Sequence, residues 1–354
     1  MKKLDTLEDM RIGILTAGGD CPGLNAVIRA SARKLLEEGH EPIGLIKGYR
    51  GLVEHNHLAL DYRTLSGILP LGGTIISTSS YNPFRESHGV EKVVAALEED
   101  SIDAVIAIGG EHTMMFTGRL YQELNIPVVG VPKTIDNDIT GTDYTFGFHT
   151  AVQTATDAID RLHTTAQSHN RVMIVEVMGR NTGWIAVFSG IAGGADGIVI
   201  PELELTVEEI SEAIGRRHQR GKDFSIIVVA EGAKLAFTSG EKRTVQLSQL
   251  SDEYGYPRYG GIGTALGHEL EARTGYETRV TALGHVQRGG TPTAYDRILA
   301  TRYGVKAAEL VTEQNFGQMA ALHGNKLTSV PFSEVRGVKE VDLHYLDLAR
   351  TFFG

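Results

Sequence analysis

Cysteine is all but missing: Cys21 is the one cysteine in 354 residues. A single thiol excludes an internal disulfide, and the chain is expected to work in a reducing cytoplasm. Long apolar runs are missing too. No stretch approaches the roughly 18–20 residues that cross a bilayer, so no membrane partner is expected. The opening MKKLDTLEDMRIGIL carries acids before a short apolar run and is expected not to be a signal peptide. Positive charge is in deficit, with a formal net charge of -10. That argues against nucleic acid as a partner. Local arginine clusters still bind small phosphorylated ligands on an acidic chain. The histidines lack cysteine or histidine partners at metal-ligand spacing, which argues against zinc.

Glycine, by contrast, is abundant, and it comes in pairs after apolar runs: Gly18-Gly19, Gly72-Gly73, Gly109-Gly110, Gly193-Gly194 and Gly289-Gly290. Such doublets suggest turns in which the backbone closely approaches a ligand. The length exceeds one typical core, so two lobes are expected. Continuous apolar runs read as strands: RIGILTAGG, EPIGLIKG, IDAVIAIGG, IPVVGVP, RVMIVEVMG, GIVIPE and FSIIVVAEG. Helix-period stretches alternate with them, from NAVIRASARKLLEEG and TMMFTGRLYQELN to HTAVQTATDAIDRLHTTAQS and TVEEISEAIGRRHQRG. Continuous rather than alternating apolar strands fit parallel sheets covered on both faces. The expected fold class is α/β, with two doubly wound parallel-sheet lobes. The first lobe is expected to end near Gly147 and the second to start with the helix at His149. Residues 233–259, polar and rich in Tyr, Pro and Gly, read as an insertion or loop.

The charged motifs follow the strands, where doubly wound sheets bind ligands. TAGGDCPGLNAVIRA is a strand, a glycine turn and a helix start, an arrangement suited to phosphate. In IAIGGEHTMM, Glu111 is a candidate Mg²⁺ ligand beside His112 and Thr113. PKTIDND sets Lys133, Asp136 and Asp138 directly after a strand. Phosphoryl transfer needs a cation to neutralise charge and a base to take the acceptor's proton. Lys133 offers the first and Asp136 the second, with Asp138 supporting the base or a metal. Met178-Gly179-Arg180, Glu231, His285 and Arg288 follow other strands, and Arg171 and Arg279 flank them. Guanidinium forks bind phosphate in two-point fashion, so this set reads as a sugar-phosphate cradle. His163 and His169 read as structural or solvated. The first glycine turn lacks G-x-G-x-x-G, which argues against a dinucleotide-dependent dehydrogenase.

GGDCPGLNAVIRA, GGEHT, PKTIDND, GTDYTFGF, SHNRVMIVEVMGR, GIVIPE, VVAEG and LGHVQRGGTPTAYDRILA, in this order, resemble 6-phosphofructokinases of the phosphofructokinase A family. AIDRLHTTAQSHNRVMIVEVMGR is most similar to the actinobacterial, mixed ATP/pyrophosphate branch. The resemblance implies a phosphofructokinase-like fold, with residues 1–147 plus about 287–336 as the phosphoryl-donor lobe. Residues 148–286 plus about 337–354 would form the sugar-phosphate lobe. It implies that Asp136 activates the C1 hydroxyl of fructose 6-phosphate, with Lys133 and Thr134 beside it. Glu111 and Asp138 would serve Mg²⁺, the implied cofactor. Arg171 and Arg279 would reach the sugar phosphate of a neighbouring subunit in a homodimer or homotetramer. His285 and Arg288 would hold the same substrate, Glu231 its hydroxyls, and Met178, Gly179 and Arg180 its ring and the reacting end. Gly19, Tyr49, Arg85, His112 and Thr113 would face the donor, pyrophosphate or ATP.

Two positions depart from the family pattern. The residue after the acidic metal ligand is usually Gly with ATP and Asp with pyrophosphate; here it is His112, which should crowd a nucleotide's α-phosphate. Ser80 stands where an Arg usually bridges the transferring phosphate, leaving Arg85 or His112 as substitutes. At the family's allosteric site Arg29 and Arg33 match, while His163 replaces an Arg. The expectation is therefore phosphoryl transfer to fructose 6-phosphate, with pyrophosphate slightly ahead of ATP. A kinase for another phosphorylated sugar, such as sedoheptulose 7-phosphate, and a catalytically weakened sugar-phosphate-binding or regulatory paralogue remain as alternatives.

Overall fold

The structure, a computed structural model, describes residues 9–236, 242–243, 246–251 and 257–353. Strand β1 (Arg11–Thr16) leads to helix α1 (Leu24–Glu37), strand β2 (Glu41–Leu45), helix α2 (Tyr49–Val53) and strand β3 (His57–Ala59). Helix α3 (Gly89–Glu99), strand β4 (Ala104–Gly109), helix α4 (Glu111–Leu124), strand β5 (Val128–Thr134) and the two-residue β6 (Phe146–Gly147) follow. The long helix α5 (Phe148–His169) precedes β7 (Val172–Val177), α6 (Trp184–Ala192), β8 (Gly197–Val199), β9 (Leu205–Thr206), α7 (Val207–Gln219) and β10 (Ser225–Ala230). Four short strands come next: β11 (Leu235–Ala236), β12 (Lys242–Arg243), β13 (Gln246–Ser251) and β14 (Pro257–Tyr259). Helix α8 (Ile262–Thr274), β15 (Thr278–Ala282), α9 (Ala294–Thr312), β16 (Gln318–His323), β17 (Lys326–Pro331) and α10 (Leu343–Arg350) complete the chain. Among the described residues no helix is long and apolar enough to cross a membrane.

Two compact units emerge. Unit 1 holds the chain up to Thr134, then Ile139–Gly147 and Gly289–Gly337. Unit 2 holds Ile135–Asp138, Phe148–Arg288 and the chain from Val338 on. The tetrapeptide Ile135–Asp138 thus packs with unit 2, although its chain neighbours on both sides belong to unit 1.

Unit 1 is built on a sheet of order β17-β16-β5-β4-β1-β2-β3. Its centre is parallel, while β17 on β16 and β3 on β2 are antiparallel. Ile12, Ile14, Leu15, Val105, Ile106 and Ile108 are at most 1% exposed, as expected of strands covered on both faces. Each such side chain contributes roughly 1.5–3 kcal/mol on burial. Unit 2 has a parallel sheet of order β15-β7-β10-β8. Its core joins Val172, Ile174, Val199, Ile227 and Val229 to Ile210 and Ile214 of α7 and Ile262 and Leu266 of α8.

The expected loop over 233–259 is revised where it is described. Residues 235–236 pair with β9 and β12, and β13 pairs antiparallel with β14. Residues 237–241, 244–245 and 252–256 lie outside the described residues.

Candidate active site

In unit 1 the parallel register fixes which strand ends meet. Thr16 of β1 pairs with Ile108 of β4, and Gly109 of β4 pairs with Pro132 of β5. The turn Ala17–Gly19, the start of α4 and the pair Lys133–Thr134 therefore line one edge of the sheet. Lys133 is 4% exposed, and its Nζ donates to the carbonyl oxygen of Gly19. This ties the cation to the first glycine turn. The segment carrying Ser80 lies against the same turn: Ala17 bridges Ser79, Gly18 N–H donates to Ser79 O at 3.0 Å, and Thr78 Oγ1 donates to Gly18 O at 2.6 Å.

Helix α4 begins two residues earlier than the sequence suggests. Glu111, His112 and Thr113 are its first three residues, and its N-cap, Gly110, provides no side-chain cap. The acid favours this helix end electrostatically. Glu111 and His112 are half-buried, while Thr113 is buried. Arg85 sits in an exposed turn farther along the Ser80 segment. Tyr49 follows Gly48, which lies against Thr16, but its own side chain is buried. It is 1% exposed, its hydroxyl lies 3.0 Å from Thr117 Oγ1, and its ring meets Phe116 edge-on, a core placement.

In unit 2 the register again aligns strand ends. Ala230 of β10 pairs with Val177 of β7, and Ala282 of β15 pairs with Glu176 of β7. Met178–Arg180, Glu231 and the 3-10 helix Gly284–Arg288 therefore share the carboxyl edge. Glu231 N–H donates to Val177 O at 2.9 Å, and Arg180 N–H donates to Glu231 Oε1 at 3.2 Å. Two glycines permit this contact. A Cβ on Gly232 would stand 1.8 Å from Arg180 O, and Gly179 has φ +143 with Thr182 O where its Cβ would go.

Burial, first, and then the charge of Asp136 push the Glu231 carboxyl up to about 7. The Arg180 amide and the Arg288 guanidinium oppose the shift, and Glu176 adds to it. Asp136, Arg180, Glu231 and Arg288 thus act on one another electrostatically. Glu176 itself is buried, accepting from the N–H groups of Gly261 at 2.9 Å and Gly263 at 2.7 Å.

Asp136 is 7% exposed and Asn137 fully buried, with Asn137 in the left-handed region at φ +53. Asn tolerates that conformation better than most residues. Thr182 Oγ1 donates to Asp136 O at 3.3 Å, anchoring the tetrapeptide at the start of α6. His285 is exposed and Arg288 half-buried on their 3-10 turn. Arg171 and Arg279 are not brought to this group. Arg171 precedes β7, and Arg279 pairs with Met173 near the opposite, amino edge. Both bind Glu277, Arg171 Nε at 2.8 Å from Oε2 and Arg279 through its guanidinium. Among the described residues, no group of three or more His, Cys, Asp or Glu is gathered as a metal cluster.

Residues around the loop that sequence reasoning missed include Thr182, Trp184 and Lys339. Only Thr182 had a local signal, since it follows MGRN in the motif carrying Arg180. Lys339 lies 202 residues from Asn137, its side-chain partner.

Strand-end loops that gather carboxylates and guanidinium groups on doubly wound sheets equip an enzyme for phosphorylated compounds. The chain belongs to the phosphofructokinase family, whose sequence model matches residues 11–311. It is 50% identical over 346 residues to ATP-dependent 6-phosphofructokinase 3 of Streptomyces coelicolor, covering 96% of this chain and 98% of that protein. It is 48% identical over 347 residues to a pyrophosphate–fructose 6-phosphate 1-phosphotransferase of the same organism, covering 98% and 100%. Among solved structures, Pichia pastoris phosphofructokinase in the T-state aligns with a TM-score of 0.80 at 32% identity, over 94% of this chain and 36% of that longer one. A pyrophosphate-dependent phosphofructokinase of Nitrosospira multiformis shares the fold, with a TM-score of 0.81 at 18% identity over 94% of this chain and 86% of that one.

Proposed function

We propose that this chain transfers a phosphoryl group from pyrophosphate or ATP to the C1 hydroxyl of fructose 6-phosphate, giving fructose 1,6-bisphosphate. The observation carrying this reading is the electrostatic set of Asp136, Glu231 and Arg288 around the Arg180 backbone at the carboxyl edge of unit 2. Asp136 takes the proton of the C1 hydroxyl as its oxygen bonds to the donor's terminal phosphorus. The bond from that phosphorus to the bridging oxygen breaks, and its electron pair leaves with phosphate or ADP. Glu231 meets the sugar hydroxyls, Met178 and Gly179 its ring, and Arg180, His285 and Arg288 its charged groups.

In unit 1, Lys133 and Thr134 serve the reacting end, and Gly19, Arg85, His112 and Thr113 serve the donor. The side chain at His112 favours pyrophosphate, since a nucleotide brings an α-phosphate and nucleoside that need the space. Relatives at about 50% identity carry either donor in their names. Glu111 and Asp138 offer the hard oxygen ligands that suit Mg²⁺, which holds to one or two carboxylates and fills its shell with water and phosphate. When bound, it neutralises charge on the phosphates.

Arg171 and Arg279 are set at the amino edge, away from the other sugar-phosphate residues of their own unit. This supports their service to a neighbouring subunit, in a homodimer or homotetramer. The buried thiol of Cys21, the one cysteine of the sequence, suits a reducing cytoplasm. The test is turnover of fructose 6-phosphate with Mg²⁺ and each donor in turn, beside Asp136→Asn. Loss of a positioned base costs on the order of 10²–10⁴ in rate. No product with either donor, or full turnover by Asp136→Asn, overturns the reading.

A further inference from the structure

The loop that carries Asp136 and Asp138 is held by a segment from near the other end of the described chain. Lys339 N–H donates to Asp138 O at 2.8 Å, and Lys339 Nζ donates to Asn137 Oδ1 at 3.0 Å. Lys339 is itself held: Trp184 Nε1–H donates to Lys339 O at 2.8 Å, and Nζ stands 5.3 Å from the centre of the Trp184 ring. That distance is within cation–π range. Two residues on, Val341 N–H donates to Glu202 Oε1 at 3.1 Å, and the same oxygen accepts from Gly183 N–H at 2.9 Å. Residues 339–341 are therefore bound at one end to Trp184 at the start of α6 and at the other to Glu202, which links back to Gly183, and the neighbouring Thr182 grips Asp136 O.

We propose that Lys339 is the positioning residue of the Ile135–Asp138 loop, fixing the directions in which Asp136 and Asp138 present their carboxylates. The inference rests on the proposed role of Asp136 as base. The two carboxylates flank Asn137, whose left-handed φ sets the angle between their backbones. Lys339 holds Asn137 by its amide oxygen and Asp138 by its carbonyl, so two adjacent residues are clamped by one side chain and its own N–H. Here a cation is half-buried between an indole and a fully buried amide. Proton abstraction depends on reach and angle, so loosening the clamp affects the chemical step before it affects the distant phosphate grip.

The test uses the full-length enzyme with fructose 6-phosphate, Mg²⁺ and whichever donor supports turnover. Lys339→Met keeps the aliphatic stem and removes the donor. It is expected to lower kcat on the order of 10- to 100-fold while KM for fructose 6-phosphate stays within about twofold. Lys339→Arg, which keeps a cationic donor, is expected to recover most of that loss. Trp184→Phe, which removes the indole bond to Lys339 O and keeps a smaller ring against Phe148, Phe188 and Tyr345, should lower kcat in the same direction by less. Thermal melts accompany each variant. If Lys339→Met fails to fold, Trp184→Phe decides, and an unchanged kcat there overturns the proposal. Full kcat in a folded Lys339→Met overturns it too, as does a loss in which KM rises in step and Lys339→Arg gives no recovery. Full turnover by Asp136→Asn instead sinks the underlying functional reading. An inactive Asp136→Asn beside a fully active Lys339→Met sinks this inference alone.

Discussion

Glu231 accepts a hydrogen bond from the main-chain N–H of Arg180 at 3.2 Å, and it does so with a carboxyl group pushed up to about 7. Burial is the main cause and Asp136 the second. The folded protein therefore holds a proton on Glu231, between the ordinary glutamate value of 4.5 and about 7, that the unfolded chain has released. By linkage, this group's contribution to stability is greatest below that window and is lost as pH rises through it.

Glu231→Gln keeps the acceptor for Arg180 and cannot ionise. It is expected to melt at a higher temperature than the parent at about pH 8, with the gap closing by about pH 5. Thermal melts across that range are the check, and parallel curves for the two proteins would refute the argument.

His112 is the second residue of α4 and half-buried. His112→Gly is expected to raise kcat/KM for ATP by on the order of tenfold or more, a gain of about 1.4 kcal/mol in transition-state binding. Turnover with pyrophosphate should not rise with it. Steady-state assays with both donors check this, and no gain with ATP rejects crowding as the cause of donor choice.

Arg279 lies near the amino edge of unit 2's sheet, while Asp136 acts on Glu231 beyond the carboxyl edge, and the first is expected to serve a neighbour. Arg279→Ala and Asp136→Asn should each impair the homomer. Co-expressed in equal amounts, they should recover about a quarter of parental activity if sites are shared pairwise, because half of the pairs formed would be mixed and each mixed pair would have one intact site. Activity no greater than the mean of the two homomers would mean that sites are not shared.

Much of the central fold was legible because continuous apolar runs such as RIGILT and AVIAIG can be buried only on both faces. The antiparallel edges were not: KLTSVP in β17 is half-buried and alternates weakly, so no period marks it. The helix start at Glu111 was missed because polar residues at a helix N-terminus look like loop. Motif order pointed to Arg180, Glu231 and Arg288, whose strand ends the register brings to one edge of unit 2, and to Asp136, whose tetrapeptide packs with that unit. It pointed equally to Tyr49, whose ring is instead taken up by the core against Phe116. Nothing local in VKEV announces the grip of Lys339 on Asn137, since that contact exists only after a long chain has closed on itself.

That closure has a consequence for biosynthesis. Residues 135–138 leave the ribosome some 200 positions ahead of the lysine that clamps them. Until residue 339 is made, the loop with the proposed base has its tie to Thr182 but not the Lys339 clamp, and strand β5 before it also waits for β16. A chain without residue 339 would keep the quoted motifs yet lack the tether to Asn137 and Asp138, so the order of synthesis sets when the loop gains it.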